Sequence, residues 1–151
     1  DIAVKHAMTT MNNHFRPDYT CWHVVSYNND GTVERKQTHQ GKNDDSSWAR
    51  GQAWAVYGYT ACYRETNDTT FLNFAVKVAD MIMKSLSSDA YLAKVGDNQG
   101  FILLHSVGSL PNGSEIDTPL NYADYYYLEA LKRFMELKKL RVENGELRVI
   151  Q

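Results

Sequence analysis

The sequence predicts an all-α chain with one short β-hairpin excursion. Three observations carry that expectation. Apolar residues recur at helical spacing through four long stretches, β-prone runs flank the turn signal Asn28-Asn29-Asp30-Gly31, and the helical pattern breaks between positions 87 and 114 around four glycines and a proline.

In chain order, Ile2, Val4, Ala7, Met8 and Met11 keep near-helical spacing and stop before Arg16-Pro17, which reads as a helix end. Trp22-His23-Val24-Val25-Ser26-Tyr27 and Thr32-Val33-Glu34-Arg35 then form the two arms of the hairpin. Asp44-Asp45-Ser46-Ser47 offers N-cap residues for a helix over 48–64, whose Ala49, Ala53, Val56, Tyr57, Thr60 and Tyr63 repeat with helical period. Asn67-Asp68 caps a second helix with a wide apolar face, including Phe71, Phe74, Val78 and Ile82. From Ser87 to Ser114 the pattern breaks around Gly96, Gly100, Gly108, Pro111 and Gly113, leaving loop with one strand at Phe101-Ile102-Leu103-Leu104. A last helix starts near Pro119, a favourable first-turn residue, and runs to Leu140. Residues 140–151 repeat at a period of seven and read as a peripheral tail, either a small hairpin at Asn144-Gly145 or disordered.

At 151 residues, 43% of them apolar, the chain is long enough for a core, and 1–139 reads as one partial domain. Sixteen basic side chains against eighteen acidic ones leave a net charge of −2, so no broad electrostatic footprint for nucleic acid or an anionic membrane is present. Cys21 and Cys62 are too few for a disulfide framework, lack metal or redox spacing, and read as small buried hydrophobes. No apolar run approaches the roughly 18 residues of a membrane span, and residues 1–6 lack the order of a signal peptide. A soluble protein is expected, its compartment open: cytoplasmic or periplasmic if bacterial.

The densest polar and aromatic cluster is His39-Gln40-Gly41-Lys42-Asn43-Asp44-Asp45-Ser46-Ser47-Trp48-Ala49-Arg50-Gly51-Gln52-Ala53-Trp54. It straddles a loop and a helix N-terminus, where backbone N–H groups favour anions. Arg50 and Trp54, four apart, share a helix face, with Trp48 at its entrance. A guanidinium can grip a carboxylate bidentately while an indole offers a flat apolar surface to a sugar ring, so the set suits an acidic sugar. A plainer reading packs Trp48 and Trp54 in the core and pairs Arg50 with Asp44 or Asp45. Gly51, costly early in a helix, points to close approach by a ligand or another helix.

That segment, continued to Tyr59, resembles the hallmark stretch of glycoside hydrolase family 88, the unsaturated glucuronyl hydrolases. A second segment, Leu104-His105-Ser106-Val107-Gly108-Ser109-Leu110-Pro111-Asn112-Gly113-Ser114-Glu115-Ile116-Asp117 with residues 119–131, is similar to the family's C-terminal signature. With Trp22-His23-Val24-Val25, the resemblance covers most of the chain up to about Leu137. It implies part of an (α/α)6 toroid of the six-hairpin glycosidase type, and removal of a 4,5-unsaturated glucuronyl residue from lyase-generated oligosaccharides. The chemistry implied is hydration of an enol-ether double bond with help from an aspartic acid, using no metal or cofactor. It also implies that His23, His39 and Gln40 line the pocket, that Trp48, Arg50 and Trp54 stack on and hold the unsaturated uronate, and that Ser106 and Ser109 meet its carboxylate.

The match departs at two places. The family's two essential aspartates belong to a His-Asp-x-Gly-Phe type and an Asp-x-Met-x-Asn type motif, neither of which occurs here, so catalytic residues are left unassigned. A further helical pair expected after Leu86 is also missing. Four long helices cannot close a ring in which each buries a face on its neighbours, so the chain is expected to be part of a longer protein or to self-associate through bare apolar faces. The readings are a hydrolase to which this chain supplies substrate-binding residues, or an inactive truncated member acting as an acidic-sugar-binding or helical interaction module. Among the remaining acids, Asp44 and Asp45 read as caps, Asp124 as a buried hydrogen-bonded group, and Glu115 and Asp117 as residues that order the serine loop. A metal site at His23 and His39 lacks ligand spacing, and nucleophilic chemistry at Ser106 or Ser109 lacks an elbow motif.

Overall fold

The computed structural model describes residues 2–143, with side chains through residue 135. Four helices dominate: α1 (Ile2–Asn13), α2 (Ala49–Thr66), α3 (Thr69–Leu86) and α4 (Asn121–Glu143). Two small antiparallel sheets interrupt them, β1 (Val24–Tyr27) with β2 (Val33–Gln37), and β3 (Val107–Ser109) with β4 (Ser114–Ile116). The chain divides into two compact units, one holding residues through Ser85 with Leu110–Gly113, the other holding Leu86–Ser109 and residues from Ser114 onward.

In the first unit the apolar face read for α3 becomes core, whereas α2 buries Gln52, Ala55 and Tyr59 and leaves Ala49, Ala53 and Tyr57 of the repeat read from the sequence exposed. Ala7 of α1, Ala55 and Tyr59 of α2, and Phe71, Ala75 and Val78 of α3 are buried together, with Phe15, Tyr19 and Phe74 packed against them. Tyr59 meets Phe74 edge-on at 4.8 Å, Phe74 meets Phe15 at 4.9 Å, and the Tyr59 hydroxyl donates to the carbonyl of Ala7. These offset ring contacts add to the area buried. Burial drives the Tyr59 phenol pKa upward, which keeps it a neutral donor.

The β1–β2 hairpin forms where the turn signal placed it, with a register shift between Ser26 and Tyr27. Gly31 takes the positive φ that its turn demands. The sequence Asp-x-Thr occurs at three bends, and in each the aspartate accepts the threonine main-chain N–H: Asp18 to Thr20, Asp30 to Thr32 and Asp68 to Thr70. The hydroxyls of Thr20 and Thr32, followed by these main-chain bonds, hold the carboxyl groups of Asp18 and Asp30 below their ordinary pKa, and the main-chain bond from Thr70 leads the same effect at Asp68.

The start of α2 differs from expectation. Trp48, not an acid or serine of 44–47, occupies the N-cap position, and no side chain caps the helix. The Asp44 carboxylate instead accepts the N–H of Thr38 at 2.7 Å, and the Ser46 hydroxyl donates to the carbonyl of Asn43 at 2.7 Å. Loop closure has taken the groups that a cap would use. At the other end Asn67 closes the helix in the left-handed conformation and leads into Asp68 and α3.

In the second unit the strand expected at Phe101-Ile102-Leu103-Leu104 is reduced to an isolated bridge between Leu92 and Leu103. The cause is Asp124 of α4, a buried carboxylate that accepts the N–H groups of Ile102 (2.8 Å) and Leu103 (2.9 Å). Two consecutive donors turned to one carboxylate cannot extend a ladder. The β3–β4 hairpin follows, in a stretch where the sequence indicated loop. Backbone of α4 continues past Leu140 to Glu143, and the tail hairpin expected at Asn144-Gly145 lies outside the described residues. Among the described residues no helix is long and apolar enough to cross a membrane.

Candidate functional site

The hairpin, the loop after it and the first turns of α2 bring most of the predicted residues together. His23, just ahead of β1, is the centre. Its Nδ1 accepts the main-chain N–H of His39 at 2.9 Å and of Gln40 at 3.2 Å, with the Thr38 hydroxyl at 3.2 Å. An acceptor at Nδ1 places the ring proton on Nε2, so the imidazole is neutral and presents one donor. Desolvation, followed by the nearby charges of His39 and Arg50, keeps the His23 pKa below its ordinary value.

That neutral ring stacks on Trp48, with centroids 4.0 Å apart and planes inclined by 26°. The Arg50 guanidinium lies 4.9 Å from the same indole, and its Nη2 donates to Gln40 Oε1 at 2.8 Å. Arg50 therefore pairs with neither Asp44 nor Asp45. Its side chain is exposed, and only one of its five N–H donors is used by Gln40, leaving a fork for a carboxylate. His39 enters through its main chain, while its own side chain is exposed.

A cavity of about 380 Å³ opens beside the cluster, lined by His23, Trp48 and Trp54 with His14, Trp22 and Gly51 among its other walls. Trp54 is 72% exposed, so the core-packing reading fails for it. Gly51 is required by close approach: a Cβ there would lie 2.7 Å from Cys21 Sγ and 2.9 Å from the Trp48 ring. The neighbours that exclude a side chain are thus part of the protein itself. Cys21 and Cys62 are both free thiols, Cys21 buried, with Sγ directed to the carbonyl of Trp48.

Ser106 and Ser109 belong to the second unit. Ser109 pairs in register with Ser114, and the Ser106 carbonyl accepts the N–H of Thr118 at 3.1 Å. The side chains of His105 and Asp117 meet at 2.6 Å across the base of the hairpin, so Asp117 orders this loop as expected. Among the described residues no group of three or more His, Cys, Asp or Glu side chains is placed to hold a metal ion.

Sequence reasoning missed two residues that build the site. Gln52 is buried and bridges α2 to the preceding loop, accepting the N–H of Cys21 and donating to the carbonyl of Tyr19. Its signal was a glutamine three and seven residues before Ala55 and Tyr59, on the core-facing side of α2. Arg16, read only as part of a helix end, donates to main-chain carbonyls of two different loops.

No family model matches the chain. It is 36% identical to an unsaturated glucuronyl hydrolase of Formosa agariphila, over 91% of this chain and 49% of that protein. It is 26% identical to an unsaturated chondroitin disaccharide hydrolase of Streptococcus pneumoniae, over 89% of this chain and 49% of that protein. The crystal structure of an unsaturated glucuronyl hydrolase specific for heparin matches with a TM-score of 0.54 and 42% identity, covering 90% of this chain and 53% of the other. The chain spans about half the length of the curated relatives it matches. The alignment with the Formosa protein runs over 195 positions against 151 residues here, so that relative carries segments with no counterpart in this chain. The mostly helical architecture corresponds to part of the six-hairpin toroid of these hydrolases. By sequence over nine tenths of its length, and by fold, the chain belongs to the unsaturated glucuronyl hydrolases.

Proposed function

We propose that this chain supplies uronate-binding residues of a glycoside hydrolase that removes the terminal 4,5-unsaturated glucuronyl residue from lyase-generated oligosaccharides. The observation that carries this reading is the convergence of His23, Gln40, Trp48 and Arg50 on one cluster beside an aromatic-lined cavity. Arg50 offers its free donors to the carboxylate, Trp48 and Trp54 offer flat faces to the ring, and neutral His23 offers Nε2–H to a hydroxyl or ring oxygen. His39 helps by fixing His23 through its main chain. Ser106 and Ser109 are assigned to the substrate carboxylate on the family resemblance alone. Residues 1–139 are taken as part of one six-hairpin domain, with 140–151 as its tail.

The reaction adds water across the enol-ether double bond, and the hydrated sugar then opens and separates from the rest of the oligosaccharide. It needs a general acid. Asp44 is engaged by Thr38, Asp124 by Ile102 and Leu103, and Asp117 by His105. These carboxylates act in the fold, which favours an acid supplied from outside these residues. The same observation favours the second reading, an acidic-sugar-binding module without turnover, which self-associates if its apolar faces are left uncovered.

The test is the enol-ether absorbance of an unsaturated chondroitin or heparin disaccharide mixed with the purified protein. Loss of the band establishes hydrolysis. A stable band with saturable binding establishes the binding module, and a stable band without binding overturns both readings.

A further inference from the structure

We infer that Arg16 is a positioning residue for the uronate-gripping loop, holding residues 38–48 and the indole of Trp22 in place without meeting the ligand. This inference rests on the reading of the His23, Gln40, Trp48 and Arg50 cluster as a uronate site.

Arg16 lies in the bend between α1 and β1, where its backbone is fixed independently of its side chain. Its N–H donates to the carbonyl of Thr20 at 2.8 Å, and its carbonyl accepts the N–H of Tyr19 at 2.9 Å. The guanidinium is therefore free to act elsewhere. Nη1 donates to the Thr20 hydroxyl (3.2 Å) and the Cys21 carbonyl (3.3 Å), while Nη2 reaches across to the carbonyl of Asp44 at 3.2 Å. Its plane lies 3.6 Å from the centroid of Trp22, with Lys36 Nζ also 5.5 Å from that ring. Asp18, the acid nearest in sequence, is engaged by Thr20.

Asp44 is the residue through which this grip reaches the site. Its carboxylate accepts the N–H of Thr38, closing the loop that carries His39 and Gln40. The Thr38 hydroxyl accepts the N–H of Gly41 at 2.9 Å and sits 3.2 Å from His23 Nδ1. A continuous set of contacts thus runs from Arg16 through Asp44 and Thr38 to His23, and from His23 by stacking to Trp48. Trp22 itself lines the cavity. Only an arginine combines a flat face for the indole with donors in a fixed fork, whereas a lysine would keep one charge on a flexible stem.

The experiment compares wild type, Arg16→Ala and Arg16→Lys by amide hydrogen exchange without ligand and by titration with an unsaturated chondroitin disaccharide. In Arg16→Ala, exchange at Thr38, His39, Gln40 and Gly41 is expected to accelerate about tenfold, the factor set by losing one charge-assisted bond. Exchange at Phe71 and Val78 stays unchanged, and disaccharide affinity falls about tenfold. Arg16→Lys recovers only part of both effects. Unchanged exchange at 38–41, equal acceleration in α3, undiminished affinity or full recovery by lysine would each overturn the inference. If wild type binds no disaccharide, the uronate reading fails, while the exchange arm still decides whether Arg16 holds the loop.

Discussion

His23 with residues 38–54 in the first unit, and residues 105–109 with 114–118 in the second, carry the two groups of predicted substrate residues, and they are built by different means. The first is set by stacked rings and by polar side chains tied to main chain: His23 on Trp48, Arg50 over the same indole, and Gln52 buried beneath. The second is set by a three-residue ladder and an exposed His–Asp pair, with one buried carboxylate, Asp124, gripping the segment that leads into it. Many side chains fix the first region, whereas the second relies on main-chain pairing and one buried side chain, Asp124. Substitutions should therefore disturb the first region at many positions and the second at few.

The largest effects should come from Gln52 and Asp124, the buried polar side chains of the two units among the described residues. Gln52→Leu strands the N–H of Cys21 and the carbonyl of Tyr19, and Asp124→Ala strands the N–H groups of Ile102 and Leu103. Each is expected to cost about 2–4 kcal/mol in urea unfolding, since a buried group left without a partner costs about 1–3 kcal/mol. An Asp124→Ala cost under about 1 kcal/mol would break the comparison, because the second region would then have no anchor.

Next comes a pair of glycines on α2. Gly51→Ala drives a methyl into Cys21 and Trp48 and should destabilise by about 1–3 kcal/mol. Gly58→Ala meets nothing within 4 Å and should stabilise by roughly 0.5–1 kcal/mol through helix propensity. Thermal midpoints moving in the same direction would show that Gly51 is not held by its neighbours.

The pH dependence follows from His14 and His23, whose folded pKa values are both depressed. For His14 the causes are burial first, then the charges of His6 and Lys36. The unfolded chain binds protons more readily than the folded one, so stability rises with pH across the window between the depressed values and the ordinary 6.5. It is fully present above 6.5 and is lost as pH falls below it. Unfolding midpoints at several pH values should show this slope, and His14→Gln should flatten it. A slope of opposite sign would contradict the neutral-histidine picture of the first region.

The smallest effect belongs to the exposed pair of the second region. His105 and Asp117 side chains are 53% and 68% exposed, so His105→Ala should cost under about 1 kcal/mol despite the short contact. A larger loss would mean that side chains govern this hairpin as they govern the first region.

The same contrast explains what could be read from the sequence. Helical period located α1 to α4 to within a few residues, although Tyr57 of α2 and Tyr122, Tyr126 and Met135 of α4, which carried the repeat, stay exposed, and Asn28-Asn29-Asp30-Gly31 located the hairpin through its turn. Gln40, Trp48 and Arg50 were legible because their chemistry is concentrated in one stretch around a helix start, whereas His23 was reached only through the family resemblance. The N-cap was misread because Asp44 and Ser46 bond to other loop groups, a choice made by tertiary contacts and not by local propensity. The strand at 101–104 was misread for a similar reason: its apolar run was visible, but Asp124 lies some twenty residues away and takes its donors. Gln52 escaped notice because its partners are main-chain groups, and Arg16 because two of its acceptors are, and such groups leave no mark in a sequence.

The most direct measurement is a calorimetric titration of an unsaturated chondroitin disaccharide into wild type and Arg50→Ala. A saturable wild-type isotherm, weakened about tenfold to a hundredfold in the variant, is the result expected when a guanidinium holds a carboxylate. Equal affinities in the two proteins would contradict the assignment of this cluster as the uronate grip.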